Sequence, residues 1–253
     1  MKLSTKLLIA VPILLLAALV MHNYLLARQF NQLHSPYNAQ PVLFKTINLP
    51  NFHHVKVDGM YYTRIGNSTK PSDFDYADYS ISRSYTPNCY LTIPEEMAAY
   101  TKYTVENDTL FIREEFPETA YDKLDELRTR VDYFKTRMIA MPSIASVTSE
   151  HADVTISNYK SAMPLMCINK IHGNIILSHD TLNNVYFKAH ENTYVTVENS
   201  VRVDSLIPHL SRHTNFDIPL HLVKHIFPVE GDSTTSITIN TNATTLKNLI
   251  DKL

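Results

Sequence analysis

The sequence predicts an all-β fold: a parallel β-helix, or solenoid, with about 21 residues per coil, preceded by one N-terminal transmembrane helix. Three observations predict the solenoid: a short stretch that recurs five times, two apolar columns that share one period, and a composition that favours strands. The recurring stretches are ADVTISN (152–158), GNIILSH (173–179), TYVTVEN (193–199), TNFDIPL (214–220) and TSITINT (235–241). Each carries apolar side chains two positions apart, which is the period of a strand with one buried face.

The period of the repeat is nearly constant. The first apolar column advances along the chain in steps of 21, 20, 21 and 21, and it consists of Val154, Ile175, Val195, Phe216 and Ile237. A second column has the same steps and consists of Ile144, Leu165, Val185, Leu206 and Phe227, with Cys167, Phe187, Pro208 and Val229 two residues behind its last four members. Two strand sets with one period indicate two strands per coil of a solenoid. An antiparallel meander is the alternative, but it needs hairpin turns, and EGD (230–232) is the only good turn signal in this half of the sequence.

The composition agrees with a β-rich fold. The 253 residues include only four Gly and no Trp, whereas Tyr, Thr, Asn, Val and Ile are plentiful in the second half. The formal net charge is −2 and no basic patch runs along the chain. The sequence therefore argues against nucleic acid as a partner.

The N-terminus predicts a membrane anchor. Uncharged residues run from Leu7 to Ala27, long enough for a helix across the hydrocarbon core of a bilayer. Lys2 and Lys6 precede this run, so residues 1–6 are expected in the cytoplasm and the C-terminal domain outside it. The chain is then a single-pass protein of the cell membrane. A cleaved signal peptide is the alternative, because the unbroken apolar part, 7–21, is short for a membrane span.

The remaining chain divides by regularity. Residues 28–46 are expected to be a polar linker, followed by a solenoid domain over 47–253 with an irregular part (47–143), regular coils (144–241) and a C-terminal cap (242–253). In the irregular part the alternation predicts a strand within 49–59 and two strands, 103–105 and 110–112, about a turn at Asn107–Asp108. The spacing of apolar residues predicts a short helix over 117–134 and a helical cap at the end of the chain.

Three segments of the chain resemble a bacterial family. LPNFHHVKVDG (49–59), NDTLFIRE (107–114) and PSIASVTSEHADVTISN (142–158) follow in order the short motifs of the auto-transporter adhesin, head GIN domain family. The resemblance covers about residues 47–241, and the tyrosine-rich and helical segments depart from the family's simplest pattern. It implies an envelope β-solenoid and brings no catalytic residues with it.

One column of histidines has the spacing of a conceivable metal site. His151 and His172 are one period apart, and the column continues as Asn192 and His213, so neighbouring coils would bring the rings together. No Cys, Asp or Glu completes a ligand set at this spacing, and a solvated ladder of loop residues is the expected outcome.

Other candidate residues give weak signals. Asp73, Asp75 and Asp78 in DFDYAD resemble half of a calcium loop without its glycine and closing glutamate, and an exposed acidic loop is expected there. Eight of the 15 tyrosines lie between Tyr61 and Tyr103; they suit either a sugar-binding surface or ordinary strands. The two cysteines, Cys89 and Cys167, could form one disulfide in an oxidising compartment. A buried thiol is expected at Cys167. Asn67, Asn107 and Asn242 stand in glycosylation sequons.

These observations predict a non-catalytic module of the cell envelope that acts in adhesion or as a scaffold. Its partner would be a glycan, an envelope protein or a second copy of the chain. No catalytic, cofactor-binding or metal-binding residue is assigned, since the sequence holds none of the common catalytic or nucleotide-binding motifs. The alternative is a polysaccharide lyase or hydrolase, which needs carboxylates that converge on one flank. The outward positions 155, 176, 196, 217 and 238 supply one acid, Asp217.

Overall fold

The structure is a computed structural model, which describes residues 21–25, 43–63, 73–117, 136–227 and 233–240. The chain divides into two compact units, Met1–Pro41 and Val42–Leu253. In the first unit, residues 21–25 are helical. Within the described residues no helix has the length and apolar character needed to cross a membrane. The anchor predicted at Leu7–Ala27 lies outside them except for 21–25.

The second unit is all-β over the described residues, with two short 3₁₀ turns at Glu95–Met97 and Leu220–Leu222. Its strands are β1 (Phe44–Leu49), β2 (His54–Asp58), β3 (Met60–Thr63), β4 (Asp73–Arg83), β5 (Cys89–Pro94), β6 (Thr101–Glu106), β7 (Thr109–Glu114), β8 (Thr136–Met141), β9 (Ser146–Glu150), β10 (Ala152–Ser157), β11 (Lys160–Ser161), β12 (Leu165–Asn169), β13 (Gly173–Ser178), β14 (Thr181–Ala189), β15 (Thr193–Val197), β16 (Arg202–Leu210), β17 (Asn215–Pro219), β18 (Val223–Ile226) and β19 (Ser236–Asn240).

The strands form two large sheets. The first has the order β1-β5-β8-β4-β10-β13-β15-β17-β19, with β3 beside β4, and the second has the order β18-β16-β14-β12-β9-β2-β7-β6, with β11 beside β14. From β9 onwards the chain alternates between the second sheet and the first, and every pairing among these strands is parallel. The antiparallel pairs, β1–β5, β5–β8, β3–β4 and β6–β7, all lie in the part predicted to be irregular.

The register of the first apolar column is confirmed. Val154 pairs with Ile175, Ile175 with Val195, Val195 with Phe216, and Phe216 with Ile237, always in parallel. The first four side chains are at most 1% exposed, so they form the inner face of the first sheet. The expectation that Ile237 is also buried is wrong, because its side chain is 39% exposed. Its strand, β19, pairs on one side only within the described residues, so one flank of Ile237 is uncovered.

The second column is confirmed in its middle and wrong at both ends. Leu165 pairs with Val185 and Val185 with Leu206, as predicted. At the ends the step is one residue shorter than predicted, since Met166 pairs with Ser146 and Leu206 with Ile226. A shift of one residue turns a strand side chain to the opposite face. Phe227 is therefore exposed, whereas Ile144 precedes β9 and is buried all the same. The position of Val229 lies outside the described residues.

The irregular part holds the strands that extend both sheets. Strand β2 pairs in parallel with β7 on one side and β9 on the other, and β6 and β7 form the predicted hairpin. Asn107 and Asp108 have φ of 49° and 63°, which places both central turn residues in the left-handed region that a tight hairpin turn requires.

Two predictions for this part differ from the structure. The first strand begins at Phe44, inside the segment predicted as a linker. The expectation of an acidic loop is wrong, since Asp73, Asp75 and Asp78 belong to β4. This strand pairs in parallel with β8 and β10. The predicted helix and the predicted C-terminal cap lie outside the described residues, apart from residue 117.

Asp180 places a carboxyl group in the core at the corner between β13 and β14. The residue is 1% exposed, and its Oδ1 accepts a hydrogen bond from the backbone N–H of Tyr159 at 2.7 Å. Its Oδ2 is buried and has no hydrogen-bond partner among the described residues. Burial raises the pKa of Asp180 to about 7, although the N–H groups of Tyr159 and Ser178 act in the opposite direction.

The raised pKa of Asp180 predicts a pH-dependent stability. The unfolded chain loses this proton near pH 4, whereas the folded chain keeps it to about pH 7. The contribution of Asp180 is therefore fully present below pH 4 and is lost as the pH rises to about 7, by about 4 kcal/mol in total. The neutral variant Asp180→Asn lacks this loss. Urea unfolding of both proteins between pH 4 and 8 should show the difference in stability changing with pH, and parallel curves would contradict the assignment.

Candidate functional site

A row of charged side chains crosses one end of the outer face of the second sheet. Strands β9, β2, β7 and β6 are neighbours there, although they come from distant parts of the sequence. In register, Glu150 lies opposite Asp58, Asp58 opposite Arg113, and Arg113 opposite Lys102. Neighbouring strands in a sheet are about 4.8 Å apart, so these four side chains form one continuous charged row.

A second row lies two residues away on the same face. Thr148, Lys56, Phe111 and Thr104 are register partners across the same four strands. The Phe111 ring is 38% exposed, and the Lys56 ammonium lies 6.0 Å from its centroid. That distance is at the outer limit of a cation–π contact. The row therefore combines an accessible aromatic ring with a cation beside it.

The two rows border a groove of about 330 Å³, here called the outer-face groove. It is lined by Lys56, Asp58, Lys102, Tyr103, Thr104, Phe111, Ile112, Arg113, Glu115 and Glu150. A neighbouring cavity of about 500 Å³ shares Asp58, Arg113 and Glu115 with it. The volume of the groove is in the range of small-molecule sites, and its lining is more charged than most of them.

Each carboxylate of the groove lies near a basic side chain. Asp58 Oδ1 lies 3.6 Å from His151 Nδ1, and Glu115 lies 3.8 Å from Arg113. Glu150 forms an ion pair with Lys170, and the hydrogen bond from Lys170 lowers the pKa of Glu150. Glu150 is therefore ionised at neutral pH, which is the opposite of what a general acid requires.

Two cations of the groove form no ion pair within the described residues. Neither Lys56 nor Lys102 forms an ion pair with a carboxylate in the described part of the chain, although the charge of Lys56 contributes to the lowered pKa of Glu150. The Lys102 ammonium donates to the backbone oxygen of Ala99 at 3.2 Å. The groove thus offers ammonium groups that can bind an anion from outside.

A buried ion pair lies beneath this end of the groove. Arg137 Nε donates to Glu114 Oε1 at 2.8 Å, and both side chains are fully buried. Glu114 also accepts from the hydroxyls of Tyr79 at 3.2 Å and Thr101 at 3.1 Å. Burial and the charge of Glu114 raise the pKa of Tyr79, so its hydroxyl stays protonated. Arg137 and Tyr79 belong to the first sheet and Glu114 and Thr101 to the second, so the cluster joins the sheets.

This cluster was not identified from the sequence, yet a signal was present. Leu110, Ile112 and Glu114 alternate on one face of β7, and all three are buried. A charged residue that continues an inward apolar alternation must find a partner inside the protein. Arg137 continues the alternation of Ile139 and Met141 in the same way.

The residues of the histidine column occupy equivalent corners of the chain, and the backbone conformation at these corners explains why histidine and asparagine occur there. His151, His172, Asn192 and His213 have φ of 48°, 47°, 54° and 54° at successive corners of the chain. Among L-residues the left-handed region favours Asn, Asp and His. The rings of His151 and His172 lie 6.0 Å apart, and Tyr76 lies within 6.4 Å of both. No group of three or more His, Cys, Asp or Glu in the described residues could hold a metal ion.

A serine, a histidine and a glutamate meet at another corner. Ser178 Oγ donates to Glu198 Oε2 at 2.5 Å and lies 2.7 Å from His179 Nδ1. In a catalytic triad the histidine stands between the serine and the acid. Here the serine stands in the middle and its hydroxyl donates a hydrogen bond to Glu198. The hydroxyl proton therefore does not point to His179, as it would to the base of a triad. These three residues were not singled out from the sequence.

The other candidate residues from the sequence do not converge on one site. Tyr79 is buried, Tyr85 is 91% exposed and Tyr103 is 37% exposed, so the tyrosines do not form a single exposed surface. Both cysteines are free and buried, and burial raises the pKa of each thiol. The sequon residue Asn107 is exposed at the β6–β7 turn, while Asn67 and Asn242 lie outside the described residues. Asp73 and Asp75 lie in strand β4, and the structure describes only their backbone.

Comparison with known proteins gives matches among solved structures alone. No family model matches the chain, and no curated protein matches it. A "putative adhesin" of Bacteroides fragilis is 11% identical, with 80% of this chain and 94% of that chain covered and a TM-score of 0.36. A "putative lipid binding protein" of Parabacteroides distasonis is 12% identical (78% and 96% covered, TM-score 0.37), and a "putative adhesin" of Parabacteroides merdae is 10% identical (78% and 95%, TM-score 0.28). The resemblance to the head GIN domain family therefore stays a prediction.

Proposed function

We propose that this chain is a non-catalytic binding module, a β-solenoid that presents the outer-face groove to a ligand outside the cytoplasm. The observation that carries the proposal is the groove itself, where an exposed aromatic ring lies among charged side chains. An exposed aromatic ring on a sheet surface lowers the solubility of the protein. It also provides apolar area that a partner can bury on binding.

The solenoid supplies a rigid support for such a surface. From β12 onwards the chain alternates between the two sheets, its strands there pair in parallel, and the register advances by a nearly constant period at each step. This is the pattern expected when each coil stacks on the previous one. The groove is then built on strands rather than on loops, so its side chains are held in fixed positions without a ligand.

Binding fits the charges of the groove better than catalysis does. Glycoside hydrolysis needs one carboxyl group that is held protonated near neutral pH beside a second one that is ionised. In the groove Glu150 is ionised through Lys170, and Glu115 and Asp58 have Arg113 and His151 beside them. With its pKa lowered, Glu150 holds no proton at neutral pH, and a general acid has to hold one.

One observation favours the alternative, a carbohydrate-active enzyme. Three carboxylates and three cations converge on one groove, which the outward positions of the recurring strands did not suggest. Polysaccharide lyases and hydrolases need such a convergent set. Turnover of an acidic polysaccharide that is lost in Asp58→Asn, with binding retained, would establish this alternative.

We also propose that Leu7–Ala27 anchors the chain in the cell membrane and that residues 28–46 lead to the solenoid domain. The proposal rests on Lys2 and Lys6, which precede the apolar run, and on the preference of cations for the cytoplasmic side. Protease added to spheroplasts should digest the domain at 47–253 if this placement is right, and the same domain should be found with the membrane fraction.

The binding function predicts a variant with a selective defect. The full chain, purified in detergent, is screened against a glycan array and against envelope proteins of its source cell. Phe111→Ala removes the partly exposed ring and should weaken binding at least tenfold, while circular dichroism shows that the variant remains folded with a modestly lower unfolding midpoint. Tyr194→Ala is the matched control, since Tyr194 is 52% exposed on a strand of the first sheet. Equal binding by both variants would exclude the groove as the site.

A further inference from the structure

We infer that the outer-face groove takes an acidic sugar residue of a glycan, with the apolar face of the sugar ring on Phe111 and its carboxylate or sulfate at Lys56 and Lys102. The inference rests on the proposed binding function and adds the chemical class of the ligand. It follows from three features of the groove: two ammonium groups that form no ion pair within the described residues, the accessible ring, and the polar groups around it.

The charge balance of the groove selects an anion. Two of its three carboxylates have an ion-pair partner, Arg113 for Glu115 and Lys170 for Glu150, and Asp58 Oδ1 lies 3.6 Å from the ring nitrogen Nδ1 of His151. Lys56 and Lys102 form no ion pair with a carboxylate in the part of the chain that the structure describes. A carboxylate or sulfate of the ligand would accept charge-assisted hydrogen bonds from these ammonium groups, which a neutral ligand does not offer.

The exposed ring selects a ligand with an apolar face. Phe111 lies in the middle of the groove with Lys56 on one neighbouring strand and Thr104 on the other. A hexopyranose presents C–H groups on one face and hydroxyl groups around its edge. Packed on Phe111, it would bring its edge toward the hydroxyl of Thr104 and the ammonium of Lys56. An acidic peptide lacks such a rigid face, so its binding would depend on charge alone.

The position of the groove in the sheet favours a chain of sugars over a single one. The groove crosses four strands and shares three lining residues with the neighbouring cavity. At about 4.8 Å per strand, the surface from β9 to β6 is longer than one sugar ring. Asp58, Glu115 and Arg113 lie along this surface and can form hydrogen bonds with the hydroxyls of adjacent sugar residues.

The test measures binding to the full chain by isothermal titration calorimetry with four defined probes: an oligogalacturonate, a heparin oligosaccharide, a neutral dextran oligosaccharide and polyglutamate. We expect at least one anionic oligosaccharide to bind tenfold or more tightly than the dextran, and this affinity to fall with added salt. The oligogalacturonate and heparin arms distinguish a carboxylate ligand from a sulfate ligand.

Variants separate this inference from a nonspecific charge effect. The double variant Lys56→Gln/Lys102→Gln and the variant Phe111→Ala should each reduce affinity at least tenfold. Lys188→Gln is the control, because Lys188 is exposed on β14 of the same sheet and is remote from the groove lining. Polyglutamate that binds equally well, with no effect of Phe111→Ala, would overturn the inference.

Two further outcomes are decisive. Dextran that binds as tightly as the anionic probes, and depends on Phe111, would refute the acidic ligand and leave the proposed binding function intact. Failure of all four probes would also refute it, and the glycan and envelope-protein screen with Phe111→Ala would then decide on the binding function separately.

Discussion

Val195→Asp is expected to leave the protein largely unfolded. Val195 is 1% exposed and lies between Ile175 and Phe216 in the inner column of the first sheet. The substitution removes about 1.5–3 kcal/mol of apolar burial and places an unpaired carboxylate in the core, at a cost of several kcal/mol. The sum is comparable with the whole stability of a typical domain. Circular dichroism and urea unfolding at pH 7 would measure the effect.

The neighbouring residue is the control. Thr196 lies next along β15 and faces outward, with a half-buried side chain. Thr196→Asp introduces the same charge on the same strand where water can solvate it, so the cost should stay below about 1 kcal/mol. If the two variants were equally stable, the assignment of inner and outer faces would be wrong.

Breaking the buried ion pair should be the second large effect. Arg137→Met leaves Glu114 as a buried carboxylate that still accepts hydrogen bonds from the hydroxyls of Tyr79 and Thr101 but has lost its cation. Loss of one partner of a buried pair typically costs about 3–5 kcal/mol. The variant should therefore unfold at a markedly lower urea concentration than the unsubstituted protein.

A second substitution tests whether the cost comes from the charge. In the double variant Arg137→Met/Glu114→Leu no ion remains, and replacing a buried pair with apolar residues of similar volume is often neutral or stabilising. Most of the lost stability should return. If the double variant were as unstable as Arg137→Met, packing around Arg137 rather than its charge would be responsible.

The outer-face groove could not be located from the sequence, although its parts were visible. The strands at Val55–Val57 and Leu110–Ile112 were recognised by their alternation, as was the hairpin at Asn107–Asp108. Nothing in these local patterns indicates that β2 lies between β7 and β9. The outward positions of the recurring strands, which supply the single acid Asp217, belong to the first sheet, whereas the groove lies on the second.

The spacing of the histidine column correctly predicted that its residues are neighbours, but the backbone conformation rather than a metal accounts for the histidines. The spacing of His151 and His172 did predict that their rings meet. The backbone explains why these residues recur, because each corner needs a residue that accepts a positive φ. A spacing in sequence shows that residues are neighbours and does not show what selected them.

The recurring strands, their inner faces and the register of the central ones follow from the sequence alone, because a period of two within strands and a nearly constant period between them are local and repeated signals. Only the tertiary structure decided the shortened steps at the ends of the second column, the buried pair of Arg137 and Glu114, and the groove around Phe111. The physical reason is that these three features depend on contacts between strands distant in sequence, where one residue of shift reverses a side chain and a buried charge is tolerated only with its partner beside it.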